Sequence, residues 1–125
     1  MNILAGGPTR ETASECFRLH SLGLEAQAFA ADAQILVQHN VCRDHEGPRW
    51  THDKFERVGR VRQDFLDMAT SGDPPYDALF MVDSDVVLGP GVLARLLEVD
   101  ADVVYGVFWT ECDWGGSVGV YPQVW

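Results

Sequence analysis

Residues 76–88, Tyr-Asp-Ala-Leu-Phe-Met-Val-Asp-Ser-Asp-Val-Val-Leu, join an unbroken apolar run to two carboxylates spaced i, i+2. The run from Ala78 to Val82 suits a strand buried on both faces. In an extended chain i and i+2 point to the same side, so Asp83 and Asp85 are expected to converge at the end of that strand. Two unpaired carboxylates there would repel each other and resist desolvation. Mn²⁺ or Mg²⁺ removes both penalties, and such an ion keeps positions open for phosphate oxygens. The ordinary alternative is a pair of solvated acids at a strand–turn. The five apolar residues before them and the Gly89-Pro90-Gly91 turn after them weigh toward the metal site.

The rest of the chain alternates between the two regular periods. Asn2 to Gly6 reads as a first strand ending in Gly6-Gly7-Pro8, with Thr9 as the N-cap of a helix that keeps Ala13, Cys16, Phe17 and Leu24 in phase and leaves at Ser21-Leu22-Gly23. Gln34 to His39 reads as a second strand, and residues 40–51 with Gly47-Pro48 as a loop. Thr51 is placed to cap a second helix with Phe55, Val58, Val61, Phe65 and Met68 on one face. After the Tyr76–Val82 strand, Pro90 opens a short helix, and Asp102 to Trp109 reads as a further strand. The order predicts an α/β fold: a mostly parallel, Rossmann-like sheet with helices on both faces, in one domain over residues 1–125. Ligands of such sheets sit at the carboxyl ends of the strands. That edge collects Gly7-Pro8-Thr9, His39-Asn40, Asp83–Asp85 and Trp109-Thr110.

Composition narrows the partners. With 19 acidic and 9 basic residues the net charge is −10, which disfavours nucleic acid and anionic membrane surfaces. Neither a membrane span nor a signal-peptide pattern is present, so a cytoplasmic protein is expected. Cys16, Cys42 and Cys112 are odd in number and widely spaced, which suits a reducing compartment. His39, Cys42 and His45 have zinc-like spacing but lack a fourth ligand.

Asp83-Ser84-Asp85 after Leu79-Phe80-Met81-Val82, followed by Leu88-Gly89-Pro90 and a leucine-bearing helix, with Arg62-Gln63 one helix upstream, resembles the N-terminal, nucleotide-binding half of GT-A-type glycosyltransferases. The likeness to the family 2 enzymes, which carry Arg-Asn where this chain has Arg62-Gln63, spans roughly residues 2–110. It implies a nucleotide-sugar donor, Asp85 as direct metal ligand, and Asp83 on the donor ribose or the metal's water. It also implies that Arg62 lies near the diphosphate and that Pro8, Thr9 and Arg10 line the nucleobase pocket. Where the family commonly has a base-binding Asp, this chain has Gln38-His39-Asn40, which makes Asn40 the candidate contact. Residues 104–110 look like the strand and loop that approach sugar and acceptor, and the acceptor-side segment is expected to be absent or only begun at 110–125, as in a truncated or minimal form.

The chemistry fits the residues independently of the resemblance. A departing nucleoside diphosphate gathers negative charge that a metal and Arg62 offset. Arg62 sits at the margin of the second helix's apolar face, whereas Arg60 lies opposite it; the alternative is that Arg57, Arg60 and Arg62 merely pair with Glu56, Asp64 and Asp67. Glu111 and Asp113 are the candidate bases for an acceptor hydroxyl, or else solvated loop acids. Trp109, Trp114, Tyr121 and Trp125 are placed to stack on sugar or to fill a core. An apolar C-terminal stretch suggests a homo-oligomer or a covering partner. Two other readings stay open. Asp83-Ser84-Asp85-Val86-Val87 also resembles the first motif of haloacid-dehalogenase-type phosphotransferases, with Asp83 as nucleophile, and a non-catalytic nucleotide or sugar binder needs the same site without the chemistry.

Overall fold

The computed structural model describes residues 1–9, 15–41, 52–114 and 117–124, with backbone alone for 40–41 and from 107 onward. Two compact units divide it, residues 1–93 and 94–125. In the first, β1 (Asn2–Thr9), α1 (Glu15–Ala31), β2 (Gln34–Val41), α2 (His52–Ser71) and β3 (Ala78–Met81) follow in order. The strands form one parallel sheet in the spatial order β2-β1-β3. The expected parallel α/β architecture is therefore present as a three-stranded sheet.

Burial explains the layering. Leu4 pairs in register with Leu79, and both meet α2 in a cluster of Phe65, Ala69, Val61, Met68, Tyr76 and Met81. The alternate residues Ile3, Ala5 and Phe80 are also buried, so the sheet is covered on both faces. Crossovers between parallel strands are right-handed. Moving from β1 to β2 on one side, and from β2 back past β1 to β3 on the other, sends α1 and α2 to opposite faces. Buried Phe65 anchors α2 on its face, and removing its ring costs about 3–5 kcal/mol in such a core.

Several expected boundaries shift. Thr9, expected as an N-cap, is the last residue of β1 and is buried, its hydroxyl donating to the Gly7 carbonyl at 3.3 Å. The helix α1 does not leave at Gly23. A Cβ there would lie 3.2 Å from the Leu88 carbonyl oxygen, so this glycine is a point of close packing inside a helix that runs on to Ala31. The turn that ends it has Asp32 at φ 48° and the Ala33 N–H donating to the Ala28 carbonyl at 3.3 Å, the six-to-one bond of a Schellman ending. Phe55 is exposed, so α2 buries a shorter stripe than its sequence suggests.

The second unit holds most of α3 (Val92–Leu97), which begins two residues beyond Pro90, and the hairpin β4 (Val107–Trp114) with β5 (Ser117–Val124). Of the stretch expected as a further strand, Asp102 to Trp109, residues 102–106 are not strand and the rest begins β4, which pairs antiparallel with β5, Trp114 opposite Ser117 and Val107 opposite Val124. Gly115 and Gly116 lie between the two strands in the sequence. Both strands of a two-stranded sheet are edges, so Pro122 costs the ladder little.

Candidate functional site

The strand order reverses between β1 and β3, and their carboxyl ends form the edge at which open parallel sheets bind ligands. Glycine lets three backbones meet there. Gly6 has φ +148°, a conformation few side chains tolerate, and a Cβ on it would fall 2.0 Å from the Gln38 carbonyl oxygen of β2. On Gly7 a Cβ would fall 2.4 Å from the Val82 carbonyl oxygen. Beyond the last pairing of β3, Val82 N–H still donates to Gly6 O at 2.9 Å and Ser84 N–H to Pro8 O at 3.4 Å. The Asp83–Asp85 segment is thereby held against the end of β1.

Its conformation differs from the expected one. Val86 N–H donates to the Asp83 carbonyl at 3.0 Å, closing a turn over Ser84 and Asp85. The two carboxylates thus leave a turn and not an extended strand, and the same-side argument from strand alternation does not govern them. Asp83 is half-buried and Asp85 exposed.

From α2, the Arg62 Nη2 donates to both Asp83 carboxylate oxygens at 3.2 Å. The two side chains are 33% and 26% exposed, which makes the contact partly shielded from solvent. Arg60 behaves as its position opposite the apolar face predicts, paired with Glu56 at 2.8 Å in the open. Arg62 thus reaches past its own helix to the carboxylate edge, and Arg60 does not.

The helix α1 secures the other side of the turn, a role that the sequence reading missed. The exposed Cys16 Sγ lies 3.5 Å from the Asp85 carbonyl. Buried His20 places Nδ1 2.7 Å from the Val86 carbonyl, which can only accept, so Nδ1 carries the proton. Buried Gln27 donates to Gly89 O at 3.0 Å and accepts from Leu93 N–H at 3.0 Å. One stripe of α1 therefore pins residues 85–93. The only signal in the sequence was polar residues, His20 and Gln27, in phase with Leu24. His39 on β2 lies beside His20, ring centroids 5.8 Å apart, with Phe17 edge-on at 4.8 Å. Burial first, and His20's charge second, push the His39 imidazole below its ordinary range. Nε2 of His20 and Nδ1 of His39 are buried without a hydrogen bond among the described residues.

Among the described residues no three His, Cys, Asp or Glu side chains gather as a metal cage. A hard cation held by Asp83 and Asp85 would have to fill most of its shell with water and phosphate oxygens. Pro8 is half-buried beside Thr9 at the end of β1. Arg10, Cys42, His45 and Thr51, and the side chains of Asn40, Trp109, Glu111, Asp113, Trp114, Tyr121 and Trp125, lie outside the described residues. No described helix is long and apolar enough to cross a membrane. Comparison of the chain with family models, curated proteins and solved structures gave no match, so function is read from the chemistry of this edge.

Proposed function

We propose that this edge binds a nucleoside-diphosphate sugar with Mn²⁺ or Mg²⁺, and that the protein transfers the sugar to an acceptor hydroxyl in the manner of a GT-A-type glycosyltransferase. The observation that carries the reading is the Asp83–Asp85 turn at the reversal point of a parallel sheet, with the Arg62 guanidinium on Asp83. A charged donor and two acids at that point match the two charges of a metal–diphosphate pair.

The chain's own residues divide the work. Exposed Asp85 offers the more open carboxylate to a cation. Arg62 holds a planar donor near the diphosphate, where charge accumulates as the bond from the sugar's anomeric carbon to the phosphate oxygen breaks. A bound divalent cation supplies electrostatic stabilisation of that leaving group. The acceptor oxygen bonds to the anomeric carbon and gives its proton to a carboxylate, for which Glu111 and Asp113 remain the candidates. His20 and Gln27 keep the turn from drifting away from β1, and orientation of this kind carries a large share of such catalysis.

A thermal-shift panel of UDP-, GDP-, ADP- and dTDP-sugars with and without Mn²⁺ tests the proposal, because a ligand of the native state raises apparent stability. A rise that needs both sugar nucleotide and metal supports it. No response to any pair contradicts it.

A further inference from the structure

Arg62 Nη2 donates to both oxygens of Asp83, one of the two acids of the Asp83–Asp85 turn. We propose that Arg62 is a latch on Asp83 that makes cation binding conditional on a diphosphate. The inference rests on the metal–diphosphate reading of the site and adds an order and a coupling to it.

Three observations support the latch. The guanidinium nitrogen sits 3.2 Å from both acceptor oxygens, so a cation approaching Asp83 meets a fixed positive charge at contact distance. Partial shielding of both groups makes that repulsion stronger than it would be in water. Among the described residues no third protein ligand gathers at the edge, so Asp83 and Asp85 by themselves give a cation little to offset the repulsion.

A diphosphate changes each of these conditions. It gives the guanidinium a bidentate acceptor more highly charged than a carboxylate, which releases Asp83. It also brings the oxygens that the cation's shell lacks. Metal and diphosphate therefore bind with positive coupling, and linkage requires each to tighten the other equally. Loss of the Arg62 charge then has opposite effects on the two ligands: metal alone binds better and diphosphate binds worse.

The test measures free Mn²⁺ by electron paramagnetic resonance for the wild type, Arg62→Gln, Arg62→Met and Asp85→Asn, with melting curves to confirm folding. Pyrophosphate is the anion probe, and its solution complex with Mn²⁺ is subtracted. Wild type should bind Mn²⁺ weakly alone and about tenfold or more tightly with saturating pyrophosphate. Either uncharged Arg62 variant should bind Mn²⁺ alone several-fold more tightly than wild type and lose most of the pyrophosphate gain; Arg62→Met keeps the apolar stem if Arg62→Gln does not fold. Uncharged variants that bind Mn²⁺ no tighter than wild type, while Asp85→Asn abolishes binding, overturn the latch and leave the site reading standing. If Asp85→Asn binds Mn²⁺ with pyrophosphate as wild type does, the site reading fails and the latch with it.

Discussion

Replacing Gly7 by alanine probes the contact that places the acidic turn against β1. The added Cβ would sit 2.4 Å from the Val82 carbonyl oxygen and 3.0 Å from its carbon, both backbone atoms with no rotamer to relieve the clash. Ordinary contact needs about 1 Å more, so β1 and residue 82 must separate by that amount. Separation strains or breaks the bonds from Val82 N–H to Gly6 O at 2.9 Å and from Ser84 N–H to Pro8 O at 3.4 Å. At about 1 kcal/mol net for each bond, and with about 0.4–1 kcal/mol returned by alanine's stiffer unfolded chain, the variant should lose about 1–2 kcal/mol of stability. The loss should be local as well as global. Urea unfolding gives the first, and hydrogen exchange at the Val82 and Ser84 amides gives the second, with protection at both falling more than at Leu4. A Gly7→Ala protein as stable as wild type, with Val82 still protected, would refute the close approach.

Further outcomes follow from the same geometry. Arg62→Ala should weaken a metal–diphosphate complex by about 1–3 kcal/mol, the range for a lost charge-assisted contact, while Arg60→Ala stays near neutral; calorimetry showing equal effects contradicts the distinction. Burial favours neutral His39, so the unfolded chain takes up this proton first as pH falls. Its contribution is steady above its ordinary value of 6.5, declines as pH drops below it, and levels off once the folded protein protonates as well. Melting curves between pH 8 and 5 should show a shallower loss in His39→Phe than in wild type, and parallel curves would contradict this. Asp32→Gly should raise stability by about 0.5–1 kcal/mol, since Asp32 holds a left-handed φ that glycine adopts freely, and a drop in melting temperature would argue against the helix ending described here.

The features legible in the sequence were those written locally. Ile3-Leu4-Ala5 and Ala78 to Met81 announced buried parallel strands because both faces of the sheet are covered, and their apolar runs need no partner to be recognised. Arg62 stood out because it lies one position off the apolar stripe of α2, and that offset is what directs it to Asp83. What escaped depends on segments far apart in the chain. Gly23 looked like a helix exit, yet its function is to admit Leu88, 65 residues later by the numbering. His20 and Gln27 looked like polar interruptions, and the return of residues 86–93 supplies their long-range partners. The turn at Ser84 and Asp85 was hidden because an apolar run sets the strand but does not say at which residue pairing ends. The hairpin of residues 107–124 had a local signal in Gly115-Gly116, but Val103-Val104 drew the strand assignment too early.

The most direct test of the central claim is titration calorimetry of a nucleoside diphosphate into wild type and Asp85→Asn, each with Mn²⁺ and with chelator. Asp85 is exposed in a turn, so the Asn variant should fold as wild type does. The account predicts binding by wild type only when Mn²⁺ is present, and loss of most of that binding in Asp85→Asn. Binding that persists in chelator, or an Asn variant that binds as wild type, would contradict it.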